Sequence, residues 1–284
     1  MQAIIKSEKT YVNTIPIPVY RDEEILIKVE MCGLCRTDSY VANNKISTTT
    51  PLILHEFSGS IQEYSKCTWS IGQKVAVMPV FKDDNGHYTS RMLVNANGAF
   101  AQYISVHQSM VFPLDDDYNM NVAAYLEPIA ASLAVVDIPF SKKALAIQSG
   151  RISHLTLQLM KEYWDNISII QDSKFEDIAD NTFDFVIETY INSDNIRDLI
   201  RVVKHGIILK SRSFFETSCC IKDIVQKDMV LYGKYYSFEE AINIGKKNMN
   251  IQKNFLTLFD DFLEHLLDKN THSDKKIFLD PRLE

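Results

Sequence analysis

The sequence predicts an α/β protein in two parts, a β-rich unit followed by a smaller unit of alternating strands and helices. Three observations carry this. Residues 23–31, EEILIKVEM, alternate apolar and charged side chains as a half-buried strand does. Further short apolar runs follow before residue 107, separated by turn-forming residues. Beyond residue 143 the texture changes to short apolar strands spaced by helical patterns, the signature of βαβ units and a parallel sheet.

Taken in order, the first unit has strand candidates at PLIL (51–54), GQKVAVMPV (72–80) and AFAQYISV (99–106). The Ala- and Leu-rich run NVAAYLEPIAASLAVV (121–136) predicts a buried helix. The strand ALAI (144–147) then leads into the helical pattern ISHLTLQLMKEYW, and ISII (167–170) is a second short strand. FDFVIET (183–189) precedes the helical NIRDLIRVV, and GIILK (206–210) is another strand. The end of the chain has an amphipathic segment, NFLTLFDDFLEHLLDKN, and a last strand in KKIFLD. The domain expectation is a first unit over 1–134 with a C-terminal return over 251–284, enclosing a second unit over 135–250.

Bulk properties narrow the function. A net charge of −7 argues against nucleic acid, since phosphate binding needs concentrated Lys and Arg. No apolar run of about 18 residues is present, and the start, MQAIIKSEKT, has no basic segment followed by an apolar stretch. The 5 cysteines have no disulfide-framework spacing, so the expectation is a reduced, cytoplasmic protein. Glycine is scarce, at 9 residues of 284, so any glycine-rich loop has to be located.

CGLC (32–35) is the pair that bears on chemistry. Two cysteines cannot close a tetrahedral metal site, and no second such pair exists. A redox pair belongs at a strand-to-helix junction of a βαβ fold, whereas Cys32 and Cys35 follow a strand of the β-rich half. LHEF (54–57) offers an imidazole and a carboxylate, and YLEP (125–128) a carboxylate in apolar surroundings. Burying Glu127 there is costly without a cation or hydrogen-bond donors. A helix-start glutamate satisfied by backbone N–H groups is the alternative reading.

CGLCRTD, LHEFSG, GQKVAV, GAFAQYISV and LEPIAASLAVV occur in an order that resembles the zinc-dependent medium-chain dehydrogenases/reductases, above all the polyol and threonine dehydrogenases. The resemblance implies a GroES-like catalytic domain and a Rossmann domain. It makes Cys35 a zinc thiolate with Cys32 a bystander, and His55 the imidazole ligand. It puts Thr37 in the place of a proton-relaying hydroxyl, Asp38 in that of a carboxylate orienting a ligand histidine, and Arg36 where some members hold a cofactor phosphate. With Cys35, Glu56 and Glu127 all bound as anions beside His55, the site would carry charge −1 and no open position, which suits neither Lewis acidity nor an exchangeable water. Neighbours in a regular strand also face opposite ways. The expected metal ligands are therefore Cys35, His55 and Glu127, with Glu56 an alternate ligand exchanging with water.

Two departures from the family pattern stand out. MPVFKDDNGHYTSRMLVNAN lacks the cysteines of a structural zinc lobe, leaving one catalytic Zn2+ at most. The phosphate loop G-x-G-x-x-G is reduced to QSGRIS, with Gly150, Arg151 and Ile152 as the cofactor-binding remnant. Gln148 and Ser153 take the outer glycine places, Ser153 where it would push the helix off its strand. Asp172, at the end of the second strand, meets the ribose hydroxyls in this reading and favours NAD over NADP. His87, His107, His154, His205, His265 and His272 read as surface or structural residues.

The function implied is oxidation of a secondary alcohol or polyol with hydride transfer to a nicotinamide cofactor, with a homodimer by analogy. The alternatives are a family member with a decayed cofactor site acting as a binding or regulatory protein, and a zinc lyase or isomerase that does not use nicotinamide.

Overall fold

In the computed structural model the described residues are 1–65, 68–83, 85, 88–92, 95–135, 145–148, 151–160, 167–170, 174–189, 191, 193–210, 216–233, 238–246, 253–256, 258–268 and 276–282. The chain forms two units, Met1–Glu127 with Ala241–Glu284, and Pro128–Glu240.

The first unit opens with a hairpin of β1 (Gln2–Lys6) and β2 (Thr10–Thr14). Its main sheet is organised around β3 (Glu24–Gly33), in which Ile25, Ile27, Val29 and Met31 are buried while Lys28 and Glu30 are partly exposed. That is the period-2 pattern legible in EEILIKVEM, interrupted at Leu26, which is buried as well. After α1 (Arg36–Ala42), β4 (Phe57–Tyr64) runs antiparallel along β3, with Cys32 opposite Phe57. β5 (Lys74–Val77) adds to β4, and β6 (Val80–Lys82) pairs with β7 (Tyr88–Arg91) in a separate hairpin. β8 (Tyr103–His107) flanks the N-terminal half of β3, and β9 (Val111–Pro113) closes on β5.

Where the sequence predicts one helix over 121–136, two short ones form, α2 (Met120–Ala123) and α3 (Leu126–Leu133). Pro128 explains the break: it has no N–H, and its ring excludes a helical carbonyl four residues earlier, at Ala124. In the first turn of α3 the same proline is tolerated. Glu127 is thereby set at the start of a helix rather than in the middle of one.

The second unit contains β10 (Leu145–Gln148), α4 (Arg151–Met160), β11 (Ile167–Ile170), β12 (Phe183–Glu188), α5 (Ile196–Val202), β13 (Val203–Leu209), α6 (Ile221–Gln226) and β14 (Val230–Gly233), and the start of α7 (Phe238–Gly245), whose residues from Ala241 onward belong to the first unit. Its strands lie in the order β11-β10-β12-β13-β14 and all pairings are parallel. Strand order reverses at β10, so the crevice outside the carboxyl ends of β10 and β12 is the ligand-binding place such sheets provide. Phe183, Val186, Leu199, Val202 and Ile207 form the core. The fold class is the α/β arrangement the sequence predicts.

The chain then returns to the first unit through β15 (Lys253–Leu256), α8 (Phe259–Leu267) and β16 (Lys276–Leu279). β16 lies parallel to β15 and antiparallel to the end of β3, with Leu279 opposite Cys32 and Phe278 opposite Gly33. Phe259, Phe262 and Leu266 form the buried face of α8, and Phe262 meets the Phe100 ring edge-on at 4.8 Å between centroids. The start of the segment that reads as amphipathic is therefore strand, not helix.

Candidate metal centre

Cys35 caps the N-terminus of α1, directly after β3. Its backbone N–H donates to Asp38 Oδ2 at 2.9 Å. Asp38 is fully buried, and its other oxygen, Oδ1, lies 3.0 Å from His55 Nδ1. One carboxylate thus fixes both the thiol-bearing turn and the imidazole. With Nδ1–H directed at Asp38, Nε2 of His55 is the lone-pair nitrogen, and among the described residues this buried atom makes no hydrogen bond. An unsatisfied buried polar atom costs roughly 1–3 kcal/mol, so its persistence needs a reason. Glu127 Oε1 stands 3.7 Å from the same nitrogen. Ligand atoms of Cys35, His55 and Glu56 all lie within 4.8 Å of one another. Thiolate, imidazole and carboxylate suit zinc, and the bare Nε2 with its Nδ1 held by a carboxylate is the arrangement of a metal-ligating histidine.

The expectation that His55 and Glu56 face opposite ways does not hold. Residues 53–56 are not a strand, since β4 begins only at Phe57, and Leu54 adopts φ 97°. That left-handed turn abolishes the alternation, so both neighbours reach the cluster. A leucine at positive φ is uncommon and costs of order 1–3 kcal/mol. Hydrogen bonds hold it: Leu54 O accepts from Ala99 N at 3.3 Å and Ile53 O from Phe100 N at 3.1 Å. The backbones pass so closely that a Cβ on Gly98 would lie 2.2 Å from Leu54 O.

Glu56 has a further engagement. The ammonium of Lys276 forms an ion pair with its Oε2, both side chains being about 1% exposed. Sequence reasoning misses Lys276; the available signal is a lysine opening an otherwise apolar run, KIFL. Cys32 is fully buried, and its thiol donates to Ala99 O at 3.1 Å. Burial above all, with Asp38 and Asp280 adding to it, pushes the Cys32 thiol well up and keeps it protonated. Thr37 Oγ1 is 3.8 Å from Cys35 Sγ, and Arg36 is exposed on the first turn of α1.

Burial alone would lower the His55 pKa, but Asp38 and Cys35 outweigh it and hold the imidazole well above its ordinary value. A proton on Nε2 therefore competes with a cation, and metal uptake has to release it. Zinc affinity is expected to rise with pH by about tenfold per unit for each proton displaced, levelling only above the raised His55 value. Competition titrations at about pH 6 and about pH 8 check this. Asp38→Asn retains one acceptor but loses the charge, and its zinc affinity is expected to fall by roughly 10–100-fold; an unchanged dissociation constant would mean that Asp38 has no part in orienting His55.

Of the cofactor residues, Gly150 and Asp172 lie outside the described residues. Arg151 is the first residue of α4, and Ile152 is half-buried behind it. Ser153 does not keep the helix from forming: it is fully buried, with Oγ 3.3 Å from Thr189 Oγ1 just past β12. A hydroxyl partner takes up the side chain where the family pattern has glycine.

The β-rich unit carries a thiolate, imidazole and carboxylate cluster, and the second unit a parallel sheet. Residues 21–116 match the alcohol dehydrogenase GroES-like domain. The chain is 27% identical over 165 residues to (R,R)-butanediol dehydrogenase of Bacillus subtilis, covering 49% of this chain and 47% of that protein. It is 26% identical over 149 residues to L-threonine 3-dehydrogenase of Rhizobium etli, covering 45% and 43%. The chain spans about half the length of the curated relatives it matches. In fold it is similar to acetophenone reductase of Geotrichum candidum in complex with NAD, at TM-score 0.81 and 14% identity over 98% of this chain and 96% of that one. The first unit is thus similar to the GroES-like domain of alcohol dehydrogenases, and the fold to that of solved dehydrogenases.

Proposed function

We propose that this protein is a zinc-dependent oxidoreductase that transfers a hydride between a small secondary alcohol or polyol and a nicotinamide cofactor. The observation that carries the proposal is the buried, hydrogen-bond-free Nε2 of His55 beside Cys35 and Glu127. Cys35, His55 and Glu127 would hold the metal, which as a Lewis acid lowers the pKa of a hydroxyl bound to it. Asp38 keeps His55 in the tautomer with Nε2 free for that ion. Thr37, half-buried with its hydroxyl 3.8 Å from Cys35 Sγ, takes the released proton toward solvent in this reading. Arg36 on the one hand, and Gly150, Arg151 and Ile152 of QSGRIS on the other, are the residues we assign to cofactor phosphates, with Asp172 favouring NAD. β14, with Val230 and Leu231 44% and 42% exposed, is the sheet edge through which a homodimer would form. No helix among the described residues is long and apolar enough to cross a membrane.

The names of the relatives supply the substrates to try first, (R,R)-butanediol and L-threonine. Purified, zinc-loaded protein is expected to bind NADH and to reduce NAD+ in the presence of one of these or a related vicinal diol. The reduced QSGRIS loop favours a second reading, a zinc protein that no longer uses nicotinamide. Absence of NADH binding at millimolar concentration, with stoichiometric zinc retained, would select that reading instead.

A further inference from the structure

We propose that Lys276 holds Glu56 out of the metal's coordination sphere and so keeps one position open to substrate. The inference rests on the reading of Cys35, His55 and Glu127 as the ligands. Glu56 comes as close to the cluster as a ligand does, its carboxylate lying within 4.8 Å of Cys35 Sγ and a His55 ring nitrogen. A carboxylate that close to two ligand atoms is within reach of an ion held by them, unless another cation claims it. As a fourth protein ligand it would make the site a closed, structural one, where catalysis needs an open position.

The fold supplies the other cation from far along the chain. Pairing of Phe278 with Gly33, and the hydrogen bond from Leu34 N to Ile277 O at 2.9 Å, bring Lys276 beside the turn that carries Cys35. Lys276 Nζ donates to Leu34 O at 2.9 Å and to Glu56 Oε2, and lies 5.3 Å from the centroid of the Tyr125 ring. Two oxygens and a ring face therefore fix a lysine that is 1% exposed. Gly33 makes the space. A Cβ there would lie 2.8 Å from Lys276 Cε and 3.1 Å from Glu56 Oε2, so the second residue of CGLC is a notch for this ion pair. Charge counting favours the pair: the thiolate with Glu56, Glu127 and the buried Asp38 against a divalent ion leave −2, and the lysine offsets one of these charges. Buried charges persist where they are paired in this way.

The test uses the full chain with Co2+ in place of zinc, and azide as a probe of the open position. Azide is expected to shift the visible Co2+ spectrum of the wild-type protein. In Lys276→Met, Glu56 fills the position, the azide response is lost, and zinc affinity rises roughly tenfold or more. Lys276→Arg keeps the response, and the double variant Lys276→Met/Glu56→Gln regains it, having no carboxylate to take the place. A mere staple between β16 and β4 would leave the azide response of Lys276→Met intact, and that result overturns the proposal. Should Lys276→Met not fold, Glu56→Gln alone decides. Unchanged zinc affinity supports a carboxylate held off the metal, and a roughly tenfold or greater loss shows one already bound. Wild-type protein that takes up neither zinc nor cobalt removes the ligand reading itself, and this inference with it.

Discussion

Cys35→Ser is expected to abolish stoichiometric zinc binding and to lower kcat/KM by at least roughly a thousandfold. The thiolate is the strongest soft donor in the cluster, and an un-ionised hydroxyl at the same place neither offsets the ion's charge nor matches its preference for sulfur. Metal binding that takes a hydroxyl pKa from about 15.7 to about 7 corresponds to about 12 kcal/mol. Losing a third of that, about 4 kcal/mol, already accounts for the predicted drop. Metal analysis of the variant, with turnover in the assay of the proposed alcohol oxidation, reads both effects. A Cys35→Ser protein with full zinc and full turnover would remove the metal centre from the mechanism altogether.

Gly98→Ala is expected to destabilise the first unit by about 3 kcal/mol or more and to impair metal retention along with it. The added Cβ would stand 2.2 Å from Leu54 O and 2.4 Å from the Ile53 carbonyl carbon. Both are backbone atoms, so no rotamer change relieves the overlap. The displaced stretch is the one whose positive-φ leucine aims His55 and Glu56 at the cluster. Chemical denaturation of the zinc-loaded and zinc-free variant separates the consequences. The fold defect appears in both forms, whereas poor metal retention shows as a smaller gap between them than in the wild-type protein.

Local pattern makes much of this architecture legible. EEILIKVEM and the short apolar runs after residue 143 announce their strands because side-chain period and burial coincide there. Elements with weaker pattern escape such a reading. α6 has no buried residue, and β14 at the sheet edge is mostly exposed although its residues, VLYG, are apolar, so in neither does side-chain pattern coincide with burial. The hairpin β6–β7 lies in a polar stretch that is notable in sequence only for its missing cysteines. At the site, the motif order points to Cys35, Asp38 and His55. The convergence of His55 with Glu56 is not legible, because it depends on one leucine in a conformation its residue type disfavours. Lys276 is invisible for another reason: strand pairing sets its place beside Leu34, 242 positions away in the chain, and no local pattern reports that.

The order in which this protein acquires its shape follows from that same pairing. During vectorial synthesis the parallel sheet over Pro128–Glu240 leaves the ribosome as an uninterrupted stretch, able to collapse early. The lobe around β3 cannot finish until β16 emerges, because that strand completes the sheet next to Cys32 and Gly33. Closing so long a loop is slow. A nascent chain stopped short of Lys276 would expose the rim of β3 and deprive Glu56 of its counter-charge, so premature termination just before β16 should yield aggregates rather than a weakened protein.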